Sequence, residues 1–321
     1  MDFDTDFLAQ HCQTILKSRR ISGKIVILCE GDIQSFESRR SPQSYRQMDR
    51  VPDANFYSAC IPQNWTQNKP IFFTCGGRGN VLQTYFGLLD RHKDDPVNSY
   101  LDPEKLFSIV DCDFTPQPIE NYDFESVDEI FHDIYDRLNI KSAQIVEHHR
   151  IFVTGFVHKE CYFLIPDLQA TFEEFSLRPH YQASPQSRST LLDLHGLYHK
   201  MAIDLAQDTD LEKHWDRVHP RISNYLPGDY STPAQFGQDW LTKFKSCKDK
   251  EEELDSIHVL LTFRKAKDYW KNCVVPPEDY PLSVQTYQDN LTLEIGRFYS
   301  KNSDNPRYHI PFLFNCLKTW V

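Results

Sequence analysis

The chain has 321 residues, of which 40% are hydrophobic and 13% aromatic, and a formal net charge of −11. This composition excludes a disordered protein, and no apolar run approaches the roughly 20 residues that a transmembrane helix needs. The acidic start, MDFDTDFLAQH, lacks the basic and apolar regions of a signal peptide, so we expect a cytoplasmic protein. Nine cysteines without a CxxC pair indicate reduced thiols rather than a zinc site.

Strand-like and helical patterns alternate through the first half of the chain, which predicts an α/β fold with a mainly parallel sheet flanked by helices. After an N-terminal helical pattern comes the first apolar run, KIVILCEGD at 24–32. The second run, PIFFTC at 70–75, leads through GGRGN into a helical pattern, and the third, LFSIV at 106–110, leads into DCD. The later patterns predict a helix and a strand at 124–138 and 150–156.

Two polar stretches interrupt this pattern. Residues 31–69 are long and rich in arginine, which is typical of an insertion or a mobile cover over the end of the first strand. The stretch 177–190 has few large aliphatic side chains and marks the predicted domain boundary. We therefore expect an α/β domain over 1–178 and a mostly α-helical domain over 190–321, with helical patterns at 191–205, 254–270 and 282–298.

The polar insertion carries residues that could contact a nucleic-acid backbone and stack on bases. A solvated charged loop is the favoured interpretation of the same residues, and the net charge of −11 argues against a broad basic surface. The residues are Arg39, Arg40, Tyr45, Arg46, Arg50 and Phe56.

Acidic residues follow two of the predicted strands. Glu30 ends the first run, and Asp111 and Asp113 follow the third, spaced so that both carboxylates point to one side and Cys112 to the other. Ligands of open α/β sheets bind at this edge, and oxygen ligands suit Mg²⁺ or Mn²⁺. The three acids therefore form a candidate metal site for phosphodiester hydrolysis, although acids at strand ends can also be merely solvated.

A strand ending in EGD, a strand–helix unit opening with GGRGNV and a third strand ending in DCD together resemble the TOPRIM domain of topoisomerases, primases and overcoming-lysogenization-defect (OLD) nucleases. The chain is similar in particular to an uncharacterised TOPRIM-like domain family that borders the OLD nucleases. Members of that family tend to place another acid before an aromatic-aliphatic segment. HKECYFLIPDL has this shape and makes Glu160 a candidate fourth acid.

The resemblance covers roughly residues 20–175 and implies a TOPRIM-like fold and a Mg²⁺- or Mn²⁺-dependent nuclease that cuts DNA or RNA, with anti-phage defence as one setting. Two features depart from the family pattern: the insertion is longer than a typical crossover, and there is no Walker A loop. Any ATP-driven activity would need a partner ATPase, and a homo-oligomer is also compatible with the resemblance. No tyrosine nucleophile is placed by a motif, which favours cleavage by metal-activated water.

Glycines and basic residues near these acids are candidates for substrate binding. The backbone amides of Gly76, Gly77 and Gly79, with Arg78 beside them, could hold a phosphate at a helix start, although a structural turn fits equally well. Lys159 and His158, beside Glu160, could assist at the metal, or serve only a structural loop. A second function compatible with the same pocket is a non-catalytic sensor module that binds a nucleotide or a partner.

Two histidine pairs have both a functional and a structural interpretation. His195 and His199 have the i, i+4 spacing of a zinc site but lack a third ligand, so an ordinary helix surface is the favoured interpretation. His148 and His149, next to Arg150, could contact phosphate or act as acid-base groups, and a simple strand edge is again favoured.

Overall fold

The computed structural model describes residues 4–31, 52–184, 186–222 and 230–320. Its strands are β1 (Val26–Cys29), β2 (Ile71–Thr74), β3 (Leu106–Val110), β4 (Tyr135–Asp136), β5 (Asn139–Ile140), β6 (Ile151–Val153), β7 (His180–Tyr181), β8 (Thr190–Leu191) and β9 (Val274–Val275). Four of these strands form a parallel sheet in the order β2-β1-β3-β6. The predicted mixed α/β fold is thereby confirmed.

Every residue of the four parallel strands is buried, which explains why their sequences are continuously apolar rather than alternating. Val26 of β1 aligns with Ile71 of β2 on one side and with Leu106 of β3 on the other. From β1 the chain crosses to one edge of the sheet, and from β3 it crosses to the other edge. The topological switch point, where such sheets bind ligands, therefore lies between β1 and β3.

Helices cover the sheet and make up most of the second half of the chain. They are α1 (Thr5–Leu16), α2 (Pro52–Ala59), α3 (Arg78–Asp94), α4 (Val127–Ile134), α5 (Ala143–His148), α6 (Leu168–Glu174), α7 (Leu194–Asp204), α8 (Thr209–Val218), α9 (Pro233–Lys245), α10 (Lys250–Phe263), α11 (Lys267–Cys273), α12 (Val284–Lys301) and α13 (His309–Leu317). Many begin at a Ser, Thr or Asp whose side chain accepts a hydrogen bond from the first turn, as Asp4, Ser126 and Asp249 do. None of the described helices is both long enough and apolar enough to cross a membrane.

Contacts join the two predicted domains closely. Phe72 of β2 packs edge-on against Phe314 of α13, and Phe107 of β3 packs against Trp320 in the same way. The hydroxyl of Tyr299 donates to the carbonyl of Tyr162 over 2.6 Å. The predicted boundary segment contains β7 and β8, which pair with each other and, through β7, with β9. The two-domain division stays a prediction, and the buried side chains of both halves belong to one core cluster.

Two predicted helices differ from those observed. The helix expected over 124–138 ends at Ile134, and the chain then forms the β4–β5 hairpin, whose turn places Arg137 and Leu138 at positive φ. The helix expected over 254–270 is two helices, α10 and α11.

Much of the predicted insertion, residues 32–51, lies outside the described residues, together with Asp32 and the arginines and Tyr45 proposed to contact nucleic acid. The part from Pro52 to Ala59 is α2, which packs on β2 and on α12. Phe56 is fully buried there, with its ring edge-on to Phe163 at 4.8 Å. The suggestion that Phe56 stacks on bases is therefore wrong, because its ring belongs to the core.

Candidate functional site

Carboxylates from two neighbouring strand ends meet at the switch point of the sheet. Glu30 directly follows β1, and the backbone N–H of Asp111, directly after β3, donates to Glu30 Oε1 over 2.7 Å. Cys29 of β1 pairs with Ile109 of β3, so the two parallel strands present their last residues at the same edge. The predicted proximity of Glu30 and Asp111 is confirmed.

Asp111 lies at the centre of a cluster of like charges. Burial raises the pKa of its carboxyl well above the usual range, and the charges of Glu30 and Glu160 raise it further. Lys159 opposes these effects in part through its charge and its backbone N–H. Glu160 is only 7% exposed, within a 3-10 turn from Lys159 to Phe163. The fourth predicted acid is thus close enough to interact with the strand-end acids.

Glu30 is surrounded by both signs of charge. Burial raises the pKa of its carboxyl, whereas the hydrogen bond from Asp111 and the charges of Arg78 and Lys159 lower it, and Asp113 raises it again. Arg78 and Lys159 come from different elements, the start of α3 and the 3-10 turn. The charges of two predicted substrate-binding cations, Arg78 and Lys159, therefore act on Glu30, one of the predicted metal ligands.

Asp113 is turned toward groups outside the carboxylate cluster. Its Oδ1 accepts from the backbone N–H of Phe114 over 2.6 Å and lies 3.9 Å from both His158 Nε2 and Lys265 Nζ. The segment from Asp111 to Asp113 lies beyond β3, which ends at Val110, so the predicted alternation of a strand does not apply to it. Cys112 is nevertheless buried in the core, and its N–H donates to Thr154 Oγ1 over 3.1 Å. The third predicted metal ligand thus lies beside the cluster but is engaged elsewhere.

A buried arginine fixes the backbone of the Asp111–Asp113 segment. Arg221, which follows α8, donates to the carbonyls of Cys112 at 2.8 Å and Asp113 at 3.0 Å, and it also pairs with Asp128. Arg217 pairs with the same carboxylate. Burial alone would raise the pKa of Asp128, but the two guanidinium groups hold it below its usual value. The helical half therefore holds the acidic loop in place.

The glycine-rich loop joins the ends of β1 and β2. Gly31 and Gly76 exchange two backbone hydrogen bonds, and Gly76 has a φ of +79° that favours glycine. Gly77 precedes the first turn of α3, and a Cβ at Gly77 or Gly79 would meet nothing within 4 Å. Gly76 therefore serves the turn, and phosphate binding by Gly77 and Gly79 stays a prediction.

The chemistry of the donors fits a hard cation, because Glu30, Asp111 and Asp113 all offer carboxylate oxygens. Among the described residues, however, no group of three or more His, Cys, Asp or Glu side chains is arranged to hold a metal ion. To complete such a set, Asp113 would have to leave the N–H of Phe114 and turn toward the other two.

Neither histidine pair contributes to this cluster. His195 and His199 lie on α7 with their rings 5.2 Å apart, and both pack on the ring of Phe244. His149 is buried, and its Nε2 lies 2.9 Å from Asp133 Oδ2. These contacts favour the structural interpretation of both pairs.

Sequence reasoning missed the two residues that the helical half brings to the acids, Arg221 and Lys265. The local signals are slight, because Arg221 stands in HPRI and Lys265 in FRKAK, both of which resemble ordinary charged helix ends. Only tertiary packing places them, since each is more than 100 residues from the acids that it approaches.

The chain was compared with family models, with curated proteins and with solved structures. None of the three comparisons finds a match. Its function is accordingly inferred from the side chains at the switch point.

Proposed function

We propose that the chain is a Mg²⁺- or Mn²⁺-dependent phosphodiester hydrolase of the TOPRIM type that acts on nucleic acid. The observation that carries this proposal is the position of Asp111 at the switch point of a parallel sheet, where the charges of both Glu30 and Glu160 act on its carboxyl. Buried like charges destabilise a protein that has no other use for them. A divalent cation would offset their repulsion.

In this proposal, Glu30, Asp111 and Asp113 hold the metal, which lowers the pKa of bound water and polarises the phosphodiester. Arg78 and Lys159 bind the phosphate oxygens, because their positive charges already lie close to Glu30. Glu160 is a further ligand or a base, since it shares the environment of Asp111.

A second function, a binding module without catalysis, is favoured by a different observation. Cations of the chain already lie near the acids, Lys159 near Asp111 and Lys265 near Asp113. A cluster that is partly neutralised in this way can bind a nucleotide or a partner without turning over a substrate.

The decisive experiment measures metal binding and cleavage separately. Mn²⁺ binding is followed by calorimetry, and plasmid, linear DNA and RNA are incubated with Mg²⁺, Mn²⁺ or EDTA. The wild type is compared with Asp111→Asn and with Asp94→Asn, which removes an exposed carboxylate from the far end of α3, about 24 Å from its start.

We expect Asp111→Asn alone to lose Mn²⁺ binding and cleavage. Mn²⁺ binding without cleavage of any substrate would support the binding module instead. If the wild type binds no Mn²⁺, or if both variants lose it equally, the metal site should be abandoned.

A further inference from the structure

Lys265 reaches the acidic cluster from the helical half of the chain. Its Nζ lies 3.9 Å from Asp113 Oδ1 and 4.7 Å from the centre of the Phe114 ring, and it also pairs with Asp210. On the other side, His158 Nε2 lies 3.9 Å from the same oxygen of Asp113. One carboxylate oxygen at the sheet edge is thus approached by two nitrogen groups from different elements.

The position of Lys265 is fixed by its neighbours rather than by helical structure. Lys265 belongs to the break between α10 and α11, where Arg264 donates to Asp208 Oδ2 over 2.8 Å and to the hydroxyl of Tyr269. The carbonyl of Arg264 also accepts from Cys161 Sγ at 3.5 Å, next to Glu160. The break is therefore tied to both the helical half and the 3-10 turn of the acid site.

Both side chains are partly exposed. The Lys265 side chain keeps 29% of its surface exposed and that of His158 keeps 18%. His158 Nδ1 is buried without a hydrogen-bond partner among the described residues, which leaves Nε2 as the nitrogen directed at Asp113. Both contacts of Asp113 with these nitrogen atoms are 3.9 Å long, beyond hydrogen-bond distance, so an anion that approaches Lys265 and His158 more closely can replace Asp113 beside them.

We infer that Lys265 and His158 bind the phosphate group of the phosphodiester on which the acid cluster acts. Lys265 supplies a positive charge to the phosphate, and His158 supplies a hydrogen bond from Nε2. When the phosphate binds this pair, Asp113 is released and turns toward Glu30 and Asp111. The inference rests on the proposed function and assigns a substrate-binding role to the helical half.

The test is direct binding of nucleic acid. A fluorescein-labelled 20-nucleotide single-stranded DNA is titrated with protein in Ca²⁺, which limits cleavage, at several salt concentrations, and anisotropy is recorded. Lys265→Met keeps the aliphatic stem over Phe114 and removes only the charge. Lys93→Met removes the same charge from the exposed end of α3, about 22 Å from its start, and Lys265→Arg restores the charge.

We expect Lys265→Met to weaken binding about tenfold and to reduce the salt slope by about 0.7, the value for one lost phosphate contact on a single strand. Lys93→Met should bind like the wild type, and Lys265→Arg should recover most of the affinity. Thermal melts of each variant, recorded in the same buffer, show whether folding is intact.

Equal binding by Lys265→Met and Lys93→Met, with a wild type that binds and cleaves, would overturn this inference alone. A wild type that neither binds the oligonucleotide nor cleaves would overturn the proposed function with it. A third outcome would also overturn the inference. If Lys265→Met loses binding and melts at a lower temperature than the wild type, and if Lys265→Arg recovers the melting temperature but not the affinity, the role of Lys265 is structural.

Discussion

The carboxylate of Glu30 accepts a hydrogen bond of 2.7 Å from the backbone N–H of Asp111. The ends of β1 and β3 are thus joined by the side chain that follows one strand and the main chain that follows the other. This hydrogen bond holds the Glu30 charge close to the carboxyl of Asp111, where it helps to raise the pKa of that group. The chain thus uses one acid both to fix the strand ends and to destabilise the charged form of its neighbour.

Replacing Asp111 by Asn should stabilise the protein, and the gain should grow as the pH rises. The pKa of Asp111 is raised, mainly by burial, so above the usual aspartate pKa of about 3.9 the native state holds a proton that the unfolded state releases. Wild-type stability therefore falls as the pH rises from about 4 through the raised pKa, and the Asn variant escapes this loss.

Thermal melts at pH values from 4 to 8, without metal, measure the effect. We expect the Asn variant to melt about 2 °C or more above the wild type at pH 8 and to approach it at pH 4. Asp94→Asn, exposed at the end of α3, is the control and should show no such trend. A variant that is less stable than the wild type at every pH would contradict the conclusion that burial and neighbouring charges destabilise the ionised form of Asp111.

The strands and the meeting of the acids could be predicted because both follow from short-range rules. Strands buried on both faces need continuous apolar runs, and VILC, IFFT and LFSIV stand out on that ground. Parallel strands end at one edge, so Glu30 and Asp111 had to lie close once β1 and β3 proved to be neighbours.

The break between α10 and α11 could not be predicted, because no glycine or proline marks it. The sequence FRKAK continues a helical pattern, and the interruption comes from Arg264, which bonds to Asp208, 56 residues earlier, and to Tyr269. Such a tertiary contact overrides local propensity. For the same reason, the approach of Lys265 to Asp113 had no sequence signal.

Arg221 should be among the most important residues for stability near the site. Its guanidinium group makes hydrogen bonds to two carbonyls of the acidic loop and to Asp128, so Arg221→Met should lower the free energy of unfolding by about 3 kcal/mol. Arg297→Met is the matched control, since Arg297 is exposed and its ion pair among the described residues is with Glu294 in the same helix. It should cost less than about 0.5 kcal/mol.

Urea unfolding at several pH values adds a second check on Arg221. The pKa of Asp128 is held below its usual value, so the stability that it provides is present above about pH 4 and is lost as the pH falls through the lower folded pKa. The difference in free energy of unfolding between the wild type and Arg221→Met should therefore have its full value at pH 7 and become smaller below pH 4. A penalty equal to that of Arg297→Met would show that the loop holds its own conformation.

The glycines of the loop before α3 should respond in opposite ways to substitution by alanine. Gly76 has a φ of +79°, so Gly76→Ala should destabilise the protein by about 1–2 kcal/mol. Gly79 lies in the first turn of α3, where a Cβ meets nothing within 4 Å, so Gly79→Ala should stabilise it by about 0.5–1 kcal/mol. Urea unfolding measures both changes.

The same Gly79→Ala variant distinguishes the two interpretations of the glycine loop, phosphate binding and a structural turn. If the backbone amides at the start of α3 hold a phosphate, the added methyl group obstructs the approach of the phosphate to these amides. The affinity for labelled single-stranded DNA should then fall severalfold, although the protein has become more stable. Gly23→Ala is the reference variant, because Gly23 lies before β1 at positive φ and serves a turn. A more stable Gly79→Ala with unchanged affinity would remove Gly79 from the substrate-binding residues and leave the loop a structural turn.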